Sequence, residues 1–418
     1  MGVTQVIIGV PREICPGEKR VALAPANIAS LLKKHSIEVI VEPEAGLAAG
    51  FTDAEYEAAG AKLADRAEIF SKAQVILQVQ TPGSNQSNGA DDLAALHAGQ
   101  ILIGMMDPLA NPAFARTLAD NALTGIALEL VPRITRAQAM DVLSSMGMLA
   151  GYKAVLLAAT EANRMFPMNM TAAGTLNASR VFVMGAGVAG LQACATAKRL
   201  GAIVEAYDVR PAAREQILSV GAKPVELDLD TGAAEGSGGY AKAQGEDFLQ
   251  RQRELMTAVI AQMDVVITTA AVPGAKSPIL VTEDMVKAMK QGSVIVDLAA
   301  ERGGNCDLTE MGKTVEKHGV TIIGPVNVPS TVAHHASQMF GKNIENLLNL
   351  LIGKDGEITL DFEDQIVQDT VVAHDGDVPQ ARMRELLELP PLEKPEPEPQ
   401  QSGTEQPDTQ DASAEEKK

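Results

Sequence analysis

Three glycines, Gly185, Gly187 and Gly190, follow the apolar run Val181-Phe182-Val183 and lead into a helical pattern with Leu191, Ala195 and Leu200. A G-x-G-x-x-G turn between strand and helix is suited to a dinucleotide pyrophosphate. The first glycine permits the tight turn, the second lets backbone N–H groups approach phosphate at the helix N-terminus, and the third lets helix and strand pack closely. Ala186 and Val188 complete the turn. Asp208 ends the next strand, at the spacing of a carboxylate that accepts hydrogen bonds from ribose hydroxyls and repels a 2′-phosphate, which favours NAD(H) over NADP(H). Val209 and Arg210 come next. The arginine pulls the other way, since a nearby guanidinium can accommodate a 2′-phosphate. A turn that is glycine-rich only for packing would show the same three glycines; the strand, the helix and the carboxylate weigh against it.

A second candidate group lies in the string PRITRAQAMDVLSS, with Arg133, Gln138, Asp141 and Ser144. Gln138 and Asp141 pair donors with acceptors as a carboxamide requires, Ser144 adds a hydroxyl, and Arg133 offers a charged fork. Arg136, Gln138 and Asp141 would also serve as the capped, solvated start of a helix, and spacing leaves both readings open. The stretch from Asp228 to Gln244 is long and glycine-rich and holds a solitary tyrosine, Tyr240, beside Gly239. Loops of that kind are often lids, the alternative being a surface insertion. His318, His334 and His335 and the three cysteines lack ligand spacing, so no metal is expected.

Short β-branched runs at Val6-Ile7-Ile8, Val39-Ile40-Val41, Val75-Ile76-Leu77, Ile101-Leu102-Ile103 and Ile126-Ala127-Leu128 alternate with helical patterns. Near-continuous apolar strands between helices predict a parallel sheet covered on both faces. Arg136 to Met165 reads as one or two long connecting helices, after which a second series begins (Val181 to Val183, Ile203 to Glu205, Val265 to Ile267, Val294 to Val296, Ile322-Ile323). The fold class expected is therefore α/β, with two Rossmann-like doubly wound parallel-sheet domains joined by long helices and a cleft between them. The helical stretch from His334 to Leu351 and the strand-like pieces Ile358 to Leu360 and Val371-Val372 read as a return to the first domain. The expected division is 1–135 plus 330–388 for a discontinuous first domain, 136–329 for the nucleotide-binding domain, and 390–418 for a tail. That tail carries eight acids against three lysines and no aromatic residue, and such a composition predicts disorder.

A net charge of −19 sets nucleic acid and anionic membrane surfaces aside as partners. Three cysteines without CxxC spacing fit a reducing cytoplasm. No stretch reads as the roughly 20 apolar residues of a membrane span, and the first strand begins too early for a secretory leader.

The strings VPREICPGEKRVALAP, PRITRAQAMDVLSS, MGAGVAGLQA, AYDVR, EGSGGYAK and ERGGNC resemble the NAD(H)-binding subunits of the proton-translocating NAD(P) transhydrogenases. The resemblance covers nearly everything before the tail. It implies that Arg133, Gln138, Asp141 and Ser144 fold against the nicotinamide and face a separate NADP(H)-binding beta subunit. It implies that Tyr240 and Gly239 belong to a loop closing over the nucleotide, and that Gln252 and Ala271 are further nucleotide contacts. A homodimer follows from it too, as does a second, membrane-spanning alpha subunit through which the chain sits at the cytoplasmic face of the membrane.

Alanine dehydrogenases share this fold, with a substrate-binding lysine in a strand of the type VKVKEP and a catalytic histidine in one of the type YLHLA. The corresponding stretches here are VILQVQTPG and IGMMDPLAN, where Gln78, Gln80 and Asp107 stand roughly in their place and His97 lies before the strand. Oxidising an amine releases a proton that a base must take, whereas hydride transfer between two nicotinamides moves none. Arg20 stands where alanine dehydrogenases keep a carboxylate-binding arginine, and it fits a structural role as well. Amino-acid oxidation and a non-catalytic NAD-sensing role are the competing readings.

Overall fold

The computed structural model describes residues 5–227, 246–272, 274–353 and 355–392. The expected loop with Gly239 and Tyr240 lies outside these residues, as does the tail from 393 onward.

Sixteen strands form among the described residues: β1 (Val6–Val10), β2 (Ile37–Val41), β3 (Lys62–Leu63), β4 (Val75–Gln80), β5 (Ile101–Met105), β6 (Thr124–Ala127), β7 (Asn169–Thr171), β8 (Gly174–Leu176), β9 (Arg180–Met184), β10 (Ile203–Tyr207), β11 (Lys223–Pro224), β12 (Val265–Thr268), β13 (Val294–Asp297), β14 (Thr314–Lys317), β15 (Val320–Ile323) and β16 (Val371–Ala373). Two seven-stranded sheets result, in the orders β16-β6-β5-β4-β1-β2-β3 and β11-β10-β9-β12-β13-β15-β14. Each centres on its first strand, with the next two strands on one side and the later ones on the other, as in a doubly wound nucleotide-binding sheet. The two are therefore parallel α/β domains, as the alternation of apolar strands with helices predicts. Their strands lack an apolar-polar alternation because both faces are covered: every residue of β6, β12 and β13 is buried. Within the two large sheets antiparallel pairing is confined to two edges, β16 against β6 and β14 against β15, and β7 and β8 form a separate antiparallel hairpin. The return to the first sheet is made by Val371–Ala373, whereas Ile358 forms only an isolated bridge to Ile352.

Two long helices join the domains. One, α1 (Val142–Glu161), places Val142, Met146 and Leu149 in the first core and Ala154, Val155 and Ala158 in the second. The other, α2 (Ala333–Leu351), returns the chain, burying Ala336, Phe340, Ile344, Leu347 and Leu351 on one stripe. With 20 residues at a mean hydropathy of 1.5, α1 is long and apolar enough to cross a membrane by length and composition. The same test is passed by core helices, and α1 packs into both cores, its short Ala, Gly and Ser side chains interrupting the run of large apolar residues. Small residues also permit a close crossing. A Cβ on Gly151 would stand 2.0 Å from the Ala189 carbonyl, on the helix that follows the glycine turn.

Candidate functional site

The glycine turn leaves β9 at the switch point between β10 and β12, where open α/β sheets bind ligands. Gly185 has φ +99, and its N–H donates to the Tyr207 carbonyl at 2.8 Å. Gly187 caps α3 (Val188–Arg199), whose first hydrogen bond runs from the Leu191 N–H to the Gly187 carbonyl. The amides of the first turn have no intrahelical acceptor and carry the positive end of the helix dipole. A Cβ on Gly187 would meet nothing within 4 Å, whereas one on Gly190 would lie 1.7 Å from the Gly185 carbonyl oxygen. The turn thus has open space in front and none behind, as a phosphate cradle requires. Ala186 is fully buried beneath it, and Val188 is exposed at its lip.

Asp208, just past β10, accepts from four donors within the chain. The Ala186 N–H reaches Oδ2 at 2.7 Å; the Arg210 N–H and Nε reach Oδ1, and Arg210 Nη2 reaches Oδ2, each at 2.9 Å. The carboxylate therefore braces the glycine turn, and Arg210 neutralises it. Val209 is half-buried beside them. Gln252, on α4 (Glu246–Ile260), is buried, and its Nε2 donates to the Tyr207 hydroxyl at 2.9 Å. It supports the strand that carries Asp208. Ala271 is exposed just beyond the carboxyl end of β12.

Sequence reasoning gave no role to the residues that hold this strand end. Asp297, fully buried at the end of β13, accepts from the hydroxyls of Thr268 and Thr309 and from the N–H groups of Ala299, Asn305 and Cys306. Asn305 takes the Ala270 N–H on its Oδ1 at 3.0 Å and donates Nδ2 to the Ala270 carbonyl at 2.8 Å, gripping the peptide beside Ala271. Thr269 donates to the Gly185 carbonyl at 3.0 Å. The string ERGGNC contained the signal for Asn305, but only the fold shows what it holds.

Arg133, Gln138, Asp141 and Ser144 come together: with Pro132 they line a single cavity of about 340 Å³. After β6, two short 3₁₀ turns (Leu128–Leu130 and Thr135–Met140) carry the chain round to α1. Asp141 is the N-cap of α1, its Oδ1 accepting the Ser144 N–H at 2.9 Å and its Oδ2 the Ser144 hydroxyl at 2.5 Å. The capped-helix reading thus holds for Asp141, with the Ser144 N–H as its donor, alongside the cavity-lining one. Arg133 and Gln138 are exposed, and the neighbouring Arg136 pairs with Asp364 instead of the cavity.

In the first domain, Arg20 is buried against Glu18 at 2.7 Å and also donates to Asn327. Burial alone would raise the Glu18 carboxyl, but the hydrogen bonds and charge of Arg20 outweigh it and hold it at about 2. The structural role of Arg20 is realised. Gln78, buried, donates to Asp92 at 2.7 Å. Glu13 accepts the N–H groups of Val79 and Gln80 at the end of β4. Burial, then the charge of Glu18, pushes its carboxyl up from 4.5 to about 8 against those hydrogen bonds. A raised folded-state value contributes stability that is present below the unfolded value and lost as pH rises through the folded one. Thermal melts of the chain should therefore weaken relative to Glu13→Gln as pH goes from 4.5 to about 8. Glutamine loses one acceptor at every pH, a constant offset, so a difference that stays flat with pH would refute the assignment.

Two doubly wound sheets, with a glycine turn at the switch point of the second, define a two-domain α/β protein with the fold of nucleotide-binding domains. Residues 9–150 match the family alanine dehydrogenase/PNT, N-terminal domain, and residues 154–381 match alanine dehydrogenase/PNT, C-terminal domain. The chain belongs to the alanine dehydrogenase/PNT family. It is 48% identical over 372 residues to an NAD(P) transhydrogenase alpha-subunit polypeptide of Rhodospirillum rubrum, a match covering 88% of this chain and 96% of that one. The fold matches the crystal structure of transhydrogenase from Sinorhizobium meliloti with a TM-score of 0.79 at 44% identity, over 89% of this chain and 99% of the other. Alanine dehydrogenase of Bacillus subtilis is more distant, 31% identical over 336 residues, covering 78% of this chain and 80% of that one.

Proposed function

We propose that this chain is the NAD(H)-binding subunit of a proton-translocating NAD(P) transhydrogenase. In this reading NADH supplies a hydride that passes to NADP+ held on a separate beta subunit, while the proton moves through membrane-spanning subunits, a second alpha subunit among them. The observation that carries the proposal is the cavity formed by Arg133, Gln138, Asp141 and Ser144. It holds orienting groups, and its carboxylate is engaged in capping a helix. Hydride transfer between two rings needs them about 3 to 3.5 Å apart and aligned, with no base to take a proton. Gly185 to Gly190 would hold the pyrophosphate, Asp208 the adenosine ribose, and Ala271 would flank the nucleotide. Tyr240 and Gly239 are assigned a closing role on the family resemblance.

The test is reconstitution. The purified chain should bind NADH and turn over only when the NADP(H)-binding subunit is added. Reduction of NADP+ by the chain alone would overturn the proposal, and NADH oxidation with pyruvate and ammonia would favour the alanine dehydrogenase alternative. That alternative is opposed by Gln78 and Gln80, which offer no titrating amine.

A homodimer attached peripherally to the membrane through partner subunits completes the reading. The β7–β8 hairpin supports the dimer: all six strand residues are exposed, and Met165, Met168, Met170 and Leu176 present apolar surface around it. An isolated hairpin has little stability in water unless something covers it. Beside it, Ala159, Ala162, Met165, Phe166, Pro167 and Leu200 line a mostly apolar recess that Asn163 and Arg164 also border. Sedimentation of a variant lacking residues 169–176 should show monomer where the full chain shows dimer, and an unchanged dimer would exclude the hairpin from the interface.

A further inference from the structure

Besides the joining helices and the Asn327 contacts with Glu18 and Arg20, the carboxyl ends of the two sheets touch at two neighbouring places among the described residues. Asp107, two residues past β5, forms an ion pair with Arg302, which closes the 3₁₀ turn Ala300–Arg302 past β13. Beside it, a Cβ on Gly274, in the loop past β12, would stand 2.6 Å from Leu109. Leu109 lies in the same turn as Asp107, whose carbonyl accepts the N–H groups of Ala110 and Asn111. The two lips of the cleft are thus a turn from each domain, in contact through one ion pair and one apolar touch.

Asp107 is held for this contact. Its φ is +53, a left-handed conformation that Asp and Asn adopt more readily than other non-glycine residues. Its N–H and that of Met106 both donate to Glu129 Oε1 at 2.8 Å. Glu129 lies four residues before Arg133, on the 3₁₀ turn that leads to the cavity. Arg302 is fixed from behind, its carbonyl accepting the Ser277 N–H at 2.8 Å and its own N–H donating to Ala299. The adjacent Glu301 accepts the Asn327 N–H, and the side chain of Asn327 bonds to both Glu18 and Arg20.

We propose that the Asp107–Arg302 pair is a clasp across the cleft mouth that sets how often the two domains part, and with that the rate at which bound nucleotide is released. Both side chains are about one-third exposed or more. An ion pair of that kind contributes little in a rigid structure, and that modest strength suits a contact that must open on every exchange. Glu129 is a positioning residue in this arrangement, tying the clasp to the segment that forms the cavity.

The release rate rests on the NAD(H) reading above, whereas the clasp itself is testable without nucleotide. Asp107→Asn keeps a residue that tolerates the left-handed turn, and Arg302→Gln keeps length without charge. Hydrogen exchange by mass spectrometry on the nucleotide-free full chain should show the amides of Ala110, Asn111 and Ala275 exchanging about two- to fivefold faster in each single variant, the range a partly exposed pair supports. The double variant should be no faster than either single one, because both remove the same contact. Stopped-flow release of NADH should rise by the same factor. Unchanged lip exchange, or effects of the two substitutions that simply add, would overturn the clasp. If lip exchange responds as expected but NADH does not bind, the clasp stands and the cofactor assignment falls.

Discussion

Gly190→Ala is expected to abolish NADH binding and to destabilise the second domain by about 2 kcal/mol or more, the upper part of the range for overpacking. The added Cβ would lie 1.7 Å from the carbonyl oxygen and 2.8 Å from the carbonyl carbon of Gly185. Both are backbone atoms of the turn itself, so no side chain can rotate away. Either α3 moves off the strand, carrying its first-turn amides with it, or the turn unwinds. Gly187→Ala is the informative counterpart, because its Cβ enters open space. The fold should tolerate it within about 0.5 kcal/mol, the ordinary spread of surface substitutions, while NADH affinity falls because the methyl stands where the pyrophosphate would approach. Denaturant unfolding and NADH titration of both variants separate packing from ligand approach. Gly190→Ala with normal affinity would sink the steric argument, and Gly187→Ala with normal affinity would move the pyrophosphate elsewhere.

Gln138→Ala is expected to slow hydride transfer in the reconstituted complex by about 10²-fold, the scale of a misplaced reacting group, with no change in melting temperature. Gln138 is an exposed residue of a 3₁₀ turn that lines the cavity, so its loss removes an orienting amide without disturbing a core. Asp141 behaves differently, since Asp141→Ala also removes the cap of α1, at a cost of about 1 kcal/mol. Asp141→Asn retains capping and should restore the stability. If the rate stays low in Asp141→Asn while the melt recovers, the carboxylate orients as well as caps; if both recover together, its role is the cap alone. A Gln138→Ala complex with wild-type rates would remove this cavity from the reaction.

Much of this protein is written in short-range chemistry. Strands such as Val294–Asp297 are recognisable because burial on both faces demands an unbroken apolar run. Gly185, Gly187 and Gly190 are recognisable because each answers a steric need set by residues close in the chain. The β7–β8 hairpin was hidden, since its exposed Asn, Thr and Gly follow a sequence that reads as loop. The apolar length of α1 was hidden by its small residues, whose reason appears only where Gly151 meets Ala189.

Residue types and their spacing therefore determined the two α/β domains, the glycine turn between strand and helix and the polar group before α1, since turns, strand runs and capping depend on neighbours within a few residues. Tertiary structure decided that Arg133, Gln138, Asp141 and Ser144 share one cavity, and that Asp208 is already paired with Arg210. It also decided that Arg20 is paired with Glu18 and that Asp107 meets Arg302 across 195 positions of chain. No local pattern encodes such pairings, because which distant charge or methyl arrives beside a given group depends on how two sheets and two long helices pack.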